Sequence, residues 1–295
     1  MVVVFLIVAA FSVYYYKWHQ PYPVYDGEKL LKTDVYPFTF VFFGDNRPAS
    51  LNELKEDSEL KDTGQPEVFV KMIQMINEED PLFVIGGGDY VLVGTDENFE
   101  EFLTVVSALN APLFYVCGNH DHPGYEEFLE EKARALVKEK VYAFTYKNAL
   151  FVILDNSLDN SFELHEKQLD FLEEQLKRGF EHTFVFLHIP PFGPEKDFCI
   201  KHPVHCMVDP EEFMDIVLKY NVDYVFCSHI HTFHQEKRKN TIFVISGGAG
   251  APLIEGGYYH YIIVEVGDEI NYRVVICPVY HLHFPLRFSF IFFPI

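Results

Sequence analysis

Short, uninterrupted apolar runs are the feature that most constrains the fold of this chain. Six of them precede residue 230, and each is four to six residues long, the length of a buried strand rather than of a helix. Amphipathic stretches separate several of the runs, as at Phe69, Met72, Ile73 and Ile76, which keep a helical spacing. The predicted strands are 38–43, 82–85, 113–117, 151–154, 184–187 and 222–227.

The pattern changes after about residue 241, where apolar segments follow one another without helices between them. The segments 241–246, 259–266 and 269–277 predict three further strands, and the Gly-Asp-Glu at 267–269 predicts a hairpin turn. Alternating strands and helices followed by a strand-rich end predict an α/β fold in which two sheets pack together.

Composition and charge limit the classes of partner. Hydrophobic residues make up 49% of the 295 residues and charged residues 23%, enough apolar surface for a large core. Lys and Arg number 23 against 44 Asp and Glu, so the formal net charge is −21. We therefore expect no nucleic-acid partner, because contacts with a phosphate backbone require clustered cations. Small phosphorylated molecules remain compatible, since bound metal ions supply positive charge locally.

The N-terminal segment is predicted to anchor the protein in a membrane. Residues 2–16 are uncharged and mostly apolar, and Trp18 suits the membrane interface. As a helix, this stretch would extend about 22 Å, less than the ~30 Å hydrocarbon core, so a buried strand or helix is the alternative. One lysine, Lys17, is too little to decide the orientation.

The remaining domain boundaries follow from composition. We expect an anchor at 1–18, a linker at 19–36, a catalytic domain at 37–280 and an apolar tail at 281–295.

Two cysteines in one loop-like stretch have two interpretations. Cys199 and Cys206 could form a disulfide in an oxidising compartment, or they could join the interleaved His202 and His205 in an additional metal site.

Five short polar blocks stand where predicted strands end. In open α/β sheets, ligands bind beyond the carboxyl ends of the strands, so these blocks are expected to converge. Their mixture of carboxylate, amide and imidazole ligands suits Mn, Fe or Zn better than Mg alone. The blocks are GDNR at 44–47, GGGD at 86–89, GNHD at 118–121, LHIPP at 187–191 and SHIHTFH at 228–234.

This ordered set resembles the calcineurin-like metallophosphoesterase family, whose pattern is Asp-x-His, Gly-Asp, Gly-Asn-His-Asp/Glu, a lone His and Gly-His-x-His. The resemblance runs from about 38 to 250 and includes the glycine-rich stretch at 246–252. It implies a four-layer αββα sandwich of two packed mixed β-sheets flanked by helices. It also implies a hydrolase that cleaves a phosphomonoester, phosphodiester or pyrophosphate bond.

The resemblance further implies two divalent metal ions, Mn, Fe, Zn or similar, with a bridging hydroxide that attacks phosphorus directly. His120 matches the family histidine that stabilises or protonates the leaving oxygen, and Asp121 is expected to orient it. We call the two metal positions site 1 and site 2. When the ligands of the family pattern are transferred to this sequence by position, site 1 consists of Asp45, Asp89 and His231. Site 2 then consists of Asp89, Asn119, His188 and His229.

One departure from the family pattern concerns Arg47, which stands where the pattern has a histidine ligand. A guanidinium cannot ligate a metal, so site 1 is expected to be the weaker site. We predict that Arg47 binds a substrate phosphate, assisted by a hydrogen bond from Asn46; an ion pair with a neighbouring carboxylate is the alternative for Arg47.

Arg47 also supports an alternative function, a catalytically degenerate scaffold or metal-binding interaction protein of the same fold. The preferred prediction is an enzyme acting on a small phosphorylated substrate. If residues 1–18 anchor the chain, a lipid-linked phosphate becomes a candidate substrate.

Overall fold

The computed structural model describes residues 21–50, 65–133, 135–158 and 161–278, together with the backbone of 290–292. The predicted anchor at 1–18 lies outside the described residues. Within these ranges, the helices are all too short or too polar to cross a membrane.

Two mixed β-sheets form the centre of the described fold. Their strands are β1 (Val24–Asp26), β2 (Phe38–Phe43), β3 (Phe83–Gly86), β4 (Leu113–Tyr115), β5 (Tyr142–Tyr146), β6 (Ala149–Ile153), β7 (His182–Phe186), β8 (Tyr224–Cys227), β9 (Phe233–Arg238), β10 (Thr241–Ser246), β11 (His260–Val266), β12 (Ile270–Ile276) and β13 (Phe290–Phe292). One sheet has the order β1-β5-β6-β7-β8-β10-β9 and the other β13-β12-β11-β2-β3-β4. The parallel pairs β2–β3–β4 and β6–β7–β8 bring several carboxyl ends to one edge of each sheet.

Seven helices in the described part of the chain flank the two sheets, and the four longest of them cover the outer faces. They are α1 (Gly27–Leu31), α2 (Glu67–Glu78), α3 (Asp96–Val106), α4 (Tyr125–Glu127), α5 (Glu166–Leu176), α6 (Phe198–Lys201) and α7 (Glu211–Lys219), with short 3₁₀ turns at Asn119–Asp121 and Pro203–His205 and a π turn at Phe128–Lys132. The apolar faces of α2 and α3 pack on the sheet that contains β2, and those of α5 and α7 pack on the sheet that contains β7. The predicted αββα sandwich is therefore confirmed.

Phenylalanine fills the space between the two sheets. Phe40 and Phe83 stack with ring centroids 5.4 Å apart, and Phe151 and Phe184 stack at 5.0 Å. These rings and their neighbours are fully buried, so the large number of Phe residues in the sequence has a structural use. Each such ring removes a large apolar area from water, and the two sheets are held together largely by this layer.

The sequence-based elements agree with the structure except at the sheet edges. The nine predicted strands are present with shifts of a few residues, and Gly267 forms the hairpin between β11 and β12. Within the predicted linker at 19–36, β1 pairs in parallel with β5 and is followed directly by α1. Within the predicted tail at 281–295, the backbone of β13 pairs with β12.

Candidate metal centre

Sharp turns at the strand ends bring the polar blocks together. Asp45 follows β2, Asp89 follows β3 and His229 follows β8, and all three have positive φ angles, of 59°, 56° and 64°. The backbone N–H of Asp45 donates to the carbonyl of Gly88 over 3.1 Å, which joins the first two turns. A left-handed conformation is uncommon for residues other than glycine, and it tends to occur at functional sites.

Asp89, His188 and His229 form a compact buried cluster. His188 Nε2 lies 3.3 Å from Asp89 Oδ1 and 3.2 Å from His229 Nδ1. One ligand atom from each residue lies within 4.8 Å of the others, as a shared metal ion would require. These are three of the four residues expected at site 2.

Asp45 and His231 face each other next to the turn at His229. His231 Nε2 lies 3.5 Å from Asp45 Oδ1, while Asp45 Oδ2 accepts a 2.7 Å hydrogen bond from the backbone N–H of His229. One carboxylate oxygen of Asp45 thus fixes the turn at His229, and the other faces His231. These are two of the three residues expected at site 1.

Each of the three histidines contacts a backbone carbonyl through its outer ring nitrogen. Nδ1 of His188 lies 2.8 Å from the carbonyl oxygen of Gly87, Nε2 of His229 lies 3.0 Å from that of Val204, and Nδ1 of His231 lies 2.6 Å from that of Pro252. A ring nitrogen in this position donates its proton to the carbonyl, so in the neutral tautomer the opposite nitrogen has a free lone pair. Each ring therefore has one nitrogen that can ligate a metal: that of His231 faces Asp45, and those of His188 and His229 lie in the cluster with Asp89.

The charges in the cluster are strongly coupled. Burial opposes ionisation of Asp89, but His188, followed by His120 and His229, lowers the pKa of its carboxyl below the usual value. Burial alone would lower the pKa of His188, yet Asp89 raises it to about 9. Burial and the neighbouring His188 lower the pKa of His229 to about 3. The site thus holds an ionised carboxylate and at least one neutral imidazole at neutral pH.

Two buried oxygen atoms test whether a metal fits this site. Asn119 Oδ1 and Asp45 Oδ1 are shielded from solvent, and neither accepts a hydrogen bond within the part of the chain that the structure describes. Leaving a buried acceptor unsatisfied is costly, and a divalent cation at site 1 would satisfy the oxygen of Asp45 while one at site 2 would satisfy that of Asn119. Together with the imidazole lone pairs, these atoms make a donor set of oxygen and nitrogen that fits divalent metals.

Arg47 lies beside the carboxylate that the resemblance places between the two metals. Its Nε is 3.9 Å from Asp89 Oδ2, and its Nη1 donates a 3.0 Å hydrogen bond to the carbonyl of Pro48. The side chain is buried. The geometry is that of the alternative interpretation, an ion pair with a neighbouring carboxylate, and it places a fixed positive charge next to site 1.

Asn46, which is predicted to contact substrate, uses its amide group within the protein. Its Nδ2 donates to Gln65 Oε1 over 2.7 Å and to the carbonyl of Tyr90 over 3.1 Å, and the residue is fully buried. These two hydrogen bonds connect the turn after β2 to the segment before α2 and to the turn after β3. Sequence position alone could not distinguish such a connecting role from a substrate contact.

Asp121, which is predicted to orient His120, makes hydrogen bonds with the backbone of neighbouring turns. Its carboxylate accepts hydrogen bonds from the backbone N–H groups of Asp89, Tyr90 and Gly118, at 2.8–3.0 Å, and so fixes the loop that carries Asp89. The carbonyl of Leu92 lies 2.8 Å from Nδ1 of His120 and orients that ring.

Sequence reasoning missed a polar block after β6. Asn156 donates to the carbonyl of Ile189 and accepts from its N–H, at 2.8 and 3.1 Å, so it holds the segment that carries His188. The signal was present, since Asp155, Asn156 and Ser157 follow a buried apolar run just as the other blocks do.

The loop that holds the carbonyl of Val204 is closed by a disulfide between Cys199 and Cys206. The alternative metal site with His202 and His205 is therefore wrong, because both sulfurs are bonded to each other.

Comparison with known proteins identifies relatives that match most of the αββα domain. The model of the calcineurin-like phosphoesterase family matches residues 38–233. A 3′,5′-cyclic adenosine monophosphate phosphodiesterase of Haemophilus influenzae is 26% identical over 183 residues, covering 60% of this chain and 65% of that protein. The chain thus spans slightly less than two thirds of that relative's length.

Two solved structures share the fold. The purple acid phosphatase from yellow lupin seeds has a TM-score of 0.63 at 17% identity, covering 84% of this chain and 53% of that one. A dimetal phosphatase from Danio rerio has a TM-score of 0.59 at 15% identity, covering 81% of this chain and 95% of that one.

Proposed function

The chain belongs to the calcineurin-like phosphoesterase family, and on that basis we propose that it hydrolyses small phosphodiesters in a metal-dependent reaction. The curated relative is a cyclic-nucleotide phosphodiesterase, which favours a diester over a monoester or pyrophosphate as the substrate. The net charge of −21 disfavours long polyanions, since they would be repelled before reaching the site.

The observation that carries the proposal is that two sets of potential metal ligands adjoin each other. Asp89, His188 and His229 form one set, and the backbone N–H of His229 donates over 2.7 Å to Asp45, whose other carboxylate oxygen faces His231. Two divalent ions held in this arrangement would activate a water as nucleophile and neutralise the charge that develops on the phosphoryl oxygens.

His120 is the residue of this chain that we assign to the leaving group. Its backbone N–H donates to Asp89 Oδ1 over 2.9 Å, and its Nδ1 contacts the carbonyl of Leu92, so the ring is held next to the metal ligands without being one of them. A histidine fixed in this way can pass a proton from Nε2 to a departing alkoxide.

A substrate panel tests the proposed activity. Full-length protein loaded with Mn²⁺ is assayed on a 3′,5′-cyclic nucleotide, a glycerophosphodiester, a phosphomonoester and a pyrophosphate. We expect the diesters to be hydrolysed with the highest kcat/KM. Preference for a monoester would contradict the substrate class, and absence of turnover on all four would contradict the enzymatic function.

A second candidate function, a non-catalytic scaffold, is favoured by Arg47. A cation 3.9 Å from Asp89 reduces the negative charge available to site 1 and weakens metal binding there. The variant Arg47→His restores the family pattern and separates the two functions. If the parent protein is inactive and Arg47→His is active, the scaffold is supported; if the parent is active, it is contradicted.

The membrane anchor at residues 1–18 and a lipid-linked substrate are further proposals, motivated by the apolar sequence of 2–16. Flotation of the full-length chain with liposomes, compared with residues 20–295, tests the anchor. Equal recovery of both proteins from the lipid fraction would contradict it.

A further inference from the structure

A second cluster of metal-binding side chains lies outside sites 1 and 2. It consists of Cys117, His122 and Asp155, and one ligand atom from each lies within 4.8 Å of the others. Cys117 and Asp155 are buried, whereas His122 is half-buried. The cluster is therefore enclosed in the protein on most sides, and the partly exposed imidazole gives it access to solvent.

The distances within the cluster match the spacing of ligands around one ion. Cys117 Sγ lies 3.3 Å from His122 Nε2. A tetrahedral zinc ion with a sulfur and a nitrogen ligand sets them about 3.5 Å apart. Ser157 Oγ lies 3.5 Å from the same nitrogen and 2.7 Å from Asp155 Oδ1, so a fourth oxygen is present beside the three ligands.

The carboxylate of this cluster is held in place by its own neighbours. The backbone N–H of Ser157 donates to Asp155 Oδ1 over 3.0 Å, and Lys140 Nζ lies 3.6 Å from Asp155 Oδ2. Such partners orient a ligating carboxylate and balance part of its charge. The site therefore offers one thiol, one imidazole and one carboxylate to a metal, and Lys140 already lies beside the carboxylate.

The cluster brackets the turn that carries part of site 2. Cys117 stands immediately before the segment 118–121 and His122 immediately after it, and that segment contains Asn119 and His120. A metal bound to both flanking residues would fasten the two ends of the turn, while Asp155 would connect it to the polar block after β6.

We propose that Cys117, His122 and Asp155 form a mononuclear structural zinc site, with the Ser157 hydroxyl or a water as the fourth ligand. Thiolate sulfur selects zinc over the manganese and magnesium that prefer oxygen donors, so this site differs in chemistry from sites 1 and 2. On binding, the Cys117 thiol releases its proton to solvent and its sulfur bonds to the ion.

Cobalt substitution reports on this site separately from the catalytic centre. Full-length protein with the Cys199–Cys206 disulfide intact is titrated with Co²⁺. Sites 1 and 2 contain oxygen and nitrogen ligands alone, so a thiolate-to-cobalt charge-transfer band in the near ultraviolet would arise from a cysteine site. We expect this band, and we expect Zn²⁺ to displace the cobalt and remove it. Absence of the band at saturating Co²⁺ overturns the proposal.

Matched cysteine variants assign the band to its residue. Cys117→Ser is expected to abolish it, whereas Cys227→Ser, which removes another buried free thiol, is expected to leave it unchanged. The opposite pattern overturns the assignment. Because Cys117→Ser alters a buried position, His122→Gln serves as a second variant at a half-buried one. It is expected to weaken Co²⁺ binding at least tenfold while the circular dichroism spectrum is unchanged; unaltered binding contradicts the proposal.

Thermal unfolding provides a readout that is independent of catalysis. One equivalent of Zn²⁺ is expected to raise the unfolding temperature of the Asp89→Asn protein, in which sites 1 and 2 are both impaired, because an ion that binds the folded state stabilises it. Adding Cys117→Ser is expected to remove that increase. An equal increase in both proteins would contradict a zinc site at Cys117.

Discussion

At the scale of single residues, the centre depends on which ring nitrogen each histidine leaves free. His188, His229 and His231 each place one ring nitrogen against a backbone carbonyl, which leaves the other nitrogen for a metal. Nδ1 of His120 contacts the carbonyl of Leu92 in the same way. The same kind of contact would therefore orient both the predicted metal ligands and the proposed proton donor.

A leaving-group series tests the role of His120. His120→Ala is expected to lower kcat for an alkyl phosphodiester by roughly 10²-fold or more, since an alkoxide must be protonated as it departs. The loss for a p-nitrophenyl ester should be much smaller, because that leaving group departs as a stable anion. Metal content should be unchanged in the variant. Equal losses on both esters would contradict a proton-donating role.

His260 provides a prediction about the pH dependence of stability. The ring is fully buried and lies 2.9 Å from Ser246 Oγ and 2.7 Å from the carbonyl of Tyr258, and burial lowers its pKa to about 4 from the ordinary 6.5. Between these two pH values the unfolded chain binds a proton that the folded chain does not. Stability is therefore lost as the pH falls from 6.5 towards 4.

Urea unfolding measures this effect. Between pH 7.5 and pH 5, the His260 contribution to the free energy of unfolding should fall by about 2 kcal/mol. In His260→Gln, the pH dependence over the same range should be weaker by that amount. If the two proteins lose stability equally, the buried ring is not the source.

At the scale of elements, the turns after the strands position the ligands, and glycine allows them to approach closely. A Cβ on Gly247 would lie 2.5 Å from the carbonyl oxygen of Ile230 and 2.7 Å from Asp45 Oδ2. The turn after β10 therefore packs directly against the carboxylate of site 1. The absence of a side chain at 247 is required by this contact rather than by an unusual φ angle.

Gly247→Ala tests this close approach. The added methyl group should displace Asp45 or the turn at Ile230, lowering the free energy of unfolding by about 1–3 kcal/mol and reducing the metal content. Gly267→Ala is the matched control, since its Cβ would have its nearest neighbour at 3.5 Å. Chemical denaturation and metal analysis measure both effects. Identical behaviour of the two variants would show that the contact at Asp45 is unimportant.

At the scale of the whole molecule, the buried strands could be predicted from the sequence more reliably than the strands at the sheet edges. Buried strands such as β2 have continuous apolar sequences, whereas β9 is mostly polar and β1 has three residues, too few to show a period. The ordered polar blocks identified the side chains that converge, because strand ends of two packed sheets meet at one edge.

The hydrogen-bond partner of each polar group could not be predicted from the sequence. The carbonyls of Leu92, Val204 and Pro252 orient the histidines, but a backbone carbonyl has no signature in the sequence. Asp121 is adjacent to His120 along the chain and nevertheless contacts the loop at Asp89. Adjacency in sequence predicted a contact that the tight turn at Asn119–Asp121 prevents.

We propose that Asp89 joins two metal ions that catalyse phosphodiester hydrolysis. The most direct measurement determines metal content and Mn²⁺-dependent turnover on the same samples of three proteins: the unmodified parent, the variant Asp89→Asn and the variant Asp170→Asn. Asp170→Asn is the control, because it changes an exposed carboxylate on α5.

The metal analysis counts zinc and manganese separately, because the proposed position at Cys117 prefers zinc. We expect about two manganese ions per chain and full turnover in the parent and in Asp170→Asn, with both lost in Asp89→Asn. Turnover that survives in Asp89→Asn, or two bound manganese ions without turnover in the parent, would contradict catalysis by two ions joined at Asp89.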